Sequence, residues 1–347
     1  MFDISINFLI IFAILIAINK FIIYSRIIIH NNRQSVHKTI GKSGIPISGG
    51  VFFFLIIVYT LSFKEINFTS FVSYIITFGF FFYIGLLSDM GIEIKAKKRL
   101  FLQFLILFIF FGILEINIIK TNIDLLDIFL GNIFFNHIFT VFCVLILVNG
   151  LNFIDGVNLN SSGYLLSSYL ILFFLNQTLD EKYFLDQYLI IIIFSLVAFY
   201  ILNCLEKNLL GDSGIYILGL LLGLDVINFC NFNDTVSPLI AINLLWYPAF
   251  ENFFSIVRKF NSRNNPMYPD KKHFHTLIYI YLLKQGVKYP NTFTGLIINL
   301  TLLPSFVSIL FFYDNSYKLF LIVIIYIVIY ILSYSYINFK LKNEKNL

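Results

Sequence analysis

The chain has 347 residues, of which 59% are hydrophobic and 12% charged, with a net charge of +5 and a mean hydropathy of +0.86. Soluble domains carry about 25% charged residues, so a water-facing surface wrapped around a core is excluded. The weak, dispersed positive balance gives no nucleic-acid footprint, and no such partner is expected. The three cysteines, Cys143, Cys204 and Cys230, form no close pair and read as small apolar packing residues, not as a metal or disulfide framework.

Crossing a hydrocarbon core takes about 20 apolar residues. On that rule helices are expected at roughly 5–25, 46–63, 67–88, 100–118, 134–151, 163–177, 187–203, 214–230, 236–257, 292–312 and 317–338. The first stretch lacks a basic leader, carries Asp3 and is followed by no small-residue cleavage site, so it reads as a retained helix, not as a signal peptide. The expected fold is all-α: a polytopic bundle of about eleven transmembrane helices. It forms one integral membrane domain over 1–347, with a loop at about 258–290 that holds a short helix or a hairpin.

Lys and Arg alternate sharply between the connecting segments. Nineteen fall in one set, including Arg26, Lys42, Lys97, Arg99, Lys207, Arg258 and Lys340; four fall in the other, Lys64, Lys120, Lys182 and Lys318. By the positive-inside rule the N-terminus lies outside and the C-terminus inside. The polar loops concentrate on the inside face, as an active site at the cytosolic rim requires.

Those loops follow in chain order. His37-Lys38 through Gly49-Gly50 combines glycines, which permit close backbone approach, with cations that favour an anion; a basic turn at lipid headgroups explains it equally. Asp89 ends an apolar helix, ahead of Glu93, Lys95, Lys97, Lys98 and Arg99, and Gln103 lies on the helix that follows. A carboxylate beside hydrocarbon is a functional candidate, or else an interfacial acid paired with its basic neighbours. Asn149, Asn152 and Asp155 share one face of a helix end, with Asn158 just beyond. Three polar groups emerging from apolar surroundings need partners, and this cluster favours function over a plain turn. Gly211-Asp212-Ser213-Gly214 opens a helix: a hard cation such as Mg²⁺ takes carboxylate oxygens there, although capping alone also accounts for the residues. In Pro269-Asp270-Lys271-Lys272-His273-Phe274-His275, histidines two apart share a side only in extended chain. That disfavours a helical zinc pair and suits phosphate donors, or a segment lying on anionic lipid.

Taken together and in order, these segments resemble the polyprenyl-phosphate N-acetylhexosamine-1-phosphate transferase superfamily. Its relatives include the phospho-N-acetylmuramoyl-pentapeptide transferase. Asn149 to Gly156 is similar to the family's N-x-x-N-x-x-D-G element and Gly211-Asp212-Ser213-Gly214 to its G-D-x-G element. Pro269-Asp270 with His273 and His275 is similar to the P-D-x-x-H-x-H loop of the N-acetylhexosamine branch. The chain departs from the pattern at Ser88-Asp89, where the family has paired aspartates, and at Asn158, Ile215 and Thr276, which point to a divergent sugar specificity.

The resemblance implies transfer of a sugar-1-phosphate from a UDP-sugar to undecaprenyl phosphate, with release of UMP, to begin a lipid-linked envelope glycan. It implies Mg²⁺, or Mn²⁺, held by Asp212 and Asp155, and Asp89, Asp155 and Asp212 as the catalytic acids. Substrate binding falls to Lys42, Lys97, Arg99, Asn149, Asn152, Asn158, His273 and His275, and Glu251 is a candidate to support them. The implied setting is a multi-pass protein of a bacterial inner membrane, among its lipids, with a cytoplasmic active site; a homodimer is compatible with it. The alternatives are the pentapeptide transferase itself and a multi-helix transporter. A transporter would place its polar groups near the bilayer midplane.

Overall fold

A computed structural model describes residues 4–30, 44–63, 66–92, 94–261 and 272–343. The architecture is all-α and polytopic. α1 (Ile4–Ser25) leads into a two-residue antiparallel ribbon, β1 (Ile29–His30) against β2 (Ile45–Pro46), and then α2 (Gly49–Leu61), α3 (Phe68–Asp89) and α4 (Ala96–Leu114). α5 (Asp124–Leu130), α6 (Ile133–Ile154), α7 (Asn160–Thr178), α8 (Asp186–Cys204) and α9 (Gly211–Phe232) form the middle of the chain. It closes with α10 (Leu239–Asn261), α11 (Phe274–Lys284), α12 (Pro290–Phe312) and α13 (Ser316–Asn343).

Each of the eleven expected helices has a counterpart, with ends displaced by a few residues. Two further helices, α5 and α11, fall in connecting segments. Among the described residues, eight helices are long and apolar enough to cross a membrane by length and composition: α1, α3, α6, α8, α9, α10, α12 and α13. α2 is apolar but only 13 residues long, and α4 carries Lys97, Lys98 and Arg99 in its first turn.

Two helices open on an asparagine cap. Asn67 accepts the Ser70 amide at 2.8 Å to open α3, and Asn132 accepts the Phe135 amide at 2.9 Å to open α6. α9 is the central post, buried along most of its length and packed against α2, α3 and α6. α1 and α13, in contrast, turn Leu9, Phe21, Phe320 and Leu332 outward, as helices facing lipid do. A buried carboxylate on the post, Asp225, accepts the hydroxyls of Tyr169 at 3.0 Å and Tyr188 at 2.7 Å, which offset the cost of removing it from water.

α10 contains Pro248. A proline there has no N–H to give the carbonyl of Leu244 one turn back, and the Tyr164 hydroxyl of α7 donates to that carbonyl instead. Gly150 of α6 lies flat on this break: an added Cβ would come 2.6 Å from the Pro248 carbonyl oxygen. The lower half of α10 is thereby held beside the end of α6, where the polar residues gather.

Candidate active site

The site is assembled where α3 and α6 end and where α4, α7, α9 and α11 begin. Its floor is the N-terminus of α9. Gly211 turns the chain into that helix at φ +76°, a conformation that L side chains rarely adopt. Ile47 bridges to Leu209 in parallel fashion, the Leu209 amide donates to the Pro46 carbonyl at 3.0 Å, and the Gly49 amide donates to the Leu209 carbonyl at 3.1 Å. α3 reaches the same point because residue 85 has no side chain. A Cβ on Gly85 would stand 2.3 Å from the Ser213 Cα, so the two backbones touch.

Asp89 spends both carboxylate oxygens on this helix end. Oδ1 accepts the Asp212 amide at 2.8 Å; Oδ2 accepts the Ser213 amide at 3.0 Å and the Ser213 hydroxyl at 2.5 Å. The acid caps α9 from a neighbouring helix, at the end where the aligned peptide dipoles favour negative charge. Ser88 donates its hydroxyl to Asp212 Oδ2 at 2.6 Å. The Arg99 guanidinium stands 3.9 Å from the same oxygen and lies over the Tyr216 ring, 5.6 Å from its centroid. Ser88-Asp89 therefore works as a pair with divided tasks, the serine orienting Asp212 and the acid fixing its backbone.

The end of α6 meets this floor. Asn152 Nδ2 donates to the Tyr216 hydroxyl at 3.3 Å, and Asn149 Nδ2 to Gln103 Oε1 at 3.2 Å and to the Leu145 carbonyl at 2.9 Å. Asp155 follows the last residue of α6 and accepts the Ser161 hydroxyl from α7. Asn158 is buried, with its amide donating to Asn291 Oδ1 at 3.0 Å. Asp155, Asn158, Asn203 and His30 line a small cleft with Leu209 and Leu210, the two residues that precede Gly211-Asp212 in the chain.

α11 closes one side. His273 precedes this helix in extended conformation, at φ −68° and ψ 150°, and His275 lies in its first turn. The rings consequently stack almost parallel, 5.7 Å apart, and Phe153 lies 5.5 Å from His273 on α6. His275 Nε2 would be only 2.1 Å from a Cβ on Gly156, which explains a glycine after Asp155. Burial, reinforced by nearby His273, pushes the His275 pKa down to about 3. The ring is therefore neutral at pH 7 and would meet a phosphate as a hydrogen-bond partner. Its Nδ1 is buried and has no hydrogen-bond partner among the described residues.

Asp89, Asp155, Asp212, Arg99, Asn149, Asn152, Asn158, His273 and His275 thus lie at one pole of the bundle. Lys97 is exposed at the start of α4. Lys42, His37, Lys38, Glu93, Pro269 and Asp270 lie outside the described residues. Reading the sequence missed Ser88 as an Asp212 partner, Tyr216, which stands one helical turn beyond Asp212, and His30, which carries no motif signal. Among the described residues no group of three or more His, Cys, Asp or Glu side chains forms a ready metal cage. One or two carboxylates completed by substrate phosphates is how Mg²⁺ is ordinarily held. Asp212 and Asp155 fit that pattern: both offer hard oxygens, and Asp212 is held in place by Ser88 and Arg99.

A model of the family described as glycosyl transferase family 4 matches residues 71–230, which run from α3 to α9. Over 241 residues the chain is 23% identical to the undecaprenyl-phosphate alpha-N-acetylglucosaminyl 1-phosphate transferase of Salmonella typhi, covering 67% of this chain and 65% of that protein. The enzymes of the same name from Escherichia coli strain K12 and from Shigella flexneri are 23% identical over 240 residues, with the same coverage. The matched stretch spans a little under two thirds of these relatives. The superfamily resemblance carried by the polar loops is borne out by these matches.

Proposed function

We propose, starting from a polytopic membrane protein that resembles the polyprenyl-phosphate hexosamine-1-phosphate transferases, that this chain moves a sugar-1-phosphate from a UDP-sugar to undecaprenyl phosphate. UMP is the second product, and an N-acetylhexosamine is the sugar best supported. One observation carries the reading: Asp212, clasped by Ser88 and Arg99 on a helix end anchored by Asp89, shares a single pole with the Asp155 cleft and the stacked histidines. One substrate dissolves in water and the other in lipid, so the reaction needs polar groups at the rim of an apolar bundle.

In the reaction an oxygen of the acceptor phosphate forms a bond to the phosphorus that carries the sugar, and the bond from that phosphorus to the UMP oxygen breaks. Little covalent work is left to the protein; alignment and charge neutralisation dominate. A phosphate monoester has its second pKa near ~6, so the acceptor arrives largely ionised and Asp89 has no proton to remove. Its carboxylate serves by fixing the Asp212 backbone. A divalent ion held by Asp212 and Asp155, Mg²⁺ or Mn²⁺, would neutralise the donor diphosphate. Arg99 and His273 contribute further donors to the phosphates, Lys97 adds charge from the rim, His275 contributes a neutral donor, and Lys42 is assigned to the phosphates on the resemblance alone. Asn149 and Asn152 orient the nucleotide half, with Asn158 in the cleft wall. We assign this pole to the cytoplasmic side of a bacterial inner membrane, a reading supported by the positive-inside rule applied to the basic connecting segments.

The test is to incubate membranes containing the full chain with radiolabelled UDP-N-acetylhexosamines, undecaprenyl phosphate and Mg²⁺. UMP and a lipid-linked diphosphate should appear together. Their absence with every such donor, alongside product formation from UDP-N-acetylmuramoyl-pentapeptide, would move the protein to the pentapeptide branch. No product from either donor class would remove the transferase reading.

A further inference from the structure

Glu251 lies three residues beyond Pro248 in α10 and is 1% exposed. An unpaired carboxylate in that position would cost several kcal/mol, yet it receives three donors from two other elements. His273 Nδ1 lies 3.0 Å from Oε1 and the Phe274 amide donates to the same oxygen at 3.2 Å, while the Tyr330 hydroxyl of α13 donates to Oε2. His273 and Phe274 are where α11 begins, so the acid also takes the positive end of that helix.

Resting on the transferase reading above, we propose that Glu251 is the positioning residue for His273, setting both the tautomer and the plane of an imidazole that binds a phosphoryl group of the donor. A carboxylate only accepts, so the proton on this ring sits on Nδ1, and Nε2 is the nitrogen left to the substrate side. The plane that Glu251 sets is also supported from the ring faces, by Phe153 at 5.5 Å and His275 at 5.7 Å. Phe153 is two residues from Asp155, and His275 abuts Gly156, so the imidazole is tied to the cleft on both sides. A simple staple joining α10, α11 and α13 would need the Tyr330 and Phe274 bonds but no histidine.

Two measurements separate these roles. In the first, kcat and KM for the UDP-sugar are measured for E251Q, H273A, E251Q/H273A and Y330F in the full chain. E251Q is expected to lose about 10- to 100-fold in kcat/KM, mostly through KM, and the double variant should be no worse than H273A. Y330F, which leaves the histidine bond intact, should lose far less. Additive losses in the double variant, or a Y330F defect equal to that of E251Q, would overturn the proposal. The second measurement needs no activity and no folded variant of Glu251. With five histidines in the chain, ¹⁵N-histidine labelling of the wild-type protein at alkaline pH should show His273 as the Nδ1–H tautomer. An Nε2–H ring would overturn the assignment even in an active enzyme. An inactive enzyme with an Nδ1–H ring would retain the Glu251 assignment and refute only the transferase reading.

Discussion

Replacing Asp89 by alanine deletes the acceptor for the Asp212 amide, the Ser213 amide and the Ser213 hydroxyl at one stroke. Hydrogen bonds to a charged group contribute roughly 1.5–3 kcal/mol each, and a buried donor left without a partner costs about 1–3 kcal/mol. The charge at the helix end adds about 0.3–2 kcal/mol. These terms overlap because they share one carboxylate, and partial hydration of the emptied space recovers some of them, so a net loss of roughly 3 kcal/mol is expected. D89N keeps one acceptor oxygen and should lose about half as much. The assay is thermal unfolding of the purified chain in detergent beside transfer activity. Asp212 is released from its backbone anchor in D89A, so both readouts should fall, with D89N intermediate in each. If D89A melts like the wild type while losing transfer, Asp89 acts on the substrate and the anchoring argument is wrong.

D212N keeps the shape and the Ser88 contact but removes the charge. Transfer should fall by at least about 100-fold, the equivalent of ~3 kcal/mol of transition-state stabilisation, with unfolding little changed; retention of most activity would remove Asp212 from the ion site. G156A puts a methyl 2.1 Å from His275 Nε2, and a buried ring cannot yield without disturbing the start of α11. A cost of about 1–3 kcal/mol in stability and a rise in KM are expected, measured by unfolding and by UDP-sugar kinetics. Folded His275 holds its pKa at about 3 against an ordinary 6.5, so below pH 6.5 the unfolded chain takes up a proton that the folded chain refuses. Stability should therefore decline as pH falls from 6.5 towards 3, by up to about 1.4 kcal/mol per pH unit from this group. Denaturation of wild type and H275N across that range should show a shallower slope in the variant.

The long helices were legible because each is a near-continuous apolar run and the basic residues between them alternate. α5 was not, since seven residues from Asp124 to Leu130 carry too few turns to show a period. α11 was partly legible: the loop at about 258–290 was expected to hold a short helix or a hairpin, and a helix forms there over Phe274–Lys284. At the site, Asn149, Asn152 and Asp155 were recoverable because one helix carries all three. The work of Asp89 was hidden because its partners, Asp212 and Ser213, are 123 and 124 residues away, and such a separation leaves no local trace. Ser88 looked like a lost acid, although its hydroxyl bonds Asp212 directly. Nothing local in the sequence fixes the charge of His275; packing against Gly156 and His273 shows why it stays neutral.

The missing backbone bond at Pro248 gives α10 a joint. The carbonyl that a continuous helix would have satisfied from within is satisfied by Tyr164 from outside, so bending at this turn sacrifices no internal bond. On one side of the joint, the segment bearing Glu251 is tied to α11 and to Tyr330 of α13. On the other, Asn243 is tied to the Leu319 carbonyl at the opposite end of α13. The two ends can tilt by different amounts while the pivot stays seated on Gly150. For the proposed transfer, whose acceptor would come from the lipid, this joint marks where α10 would yield without losing an internal bond.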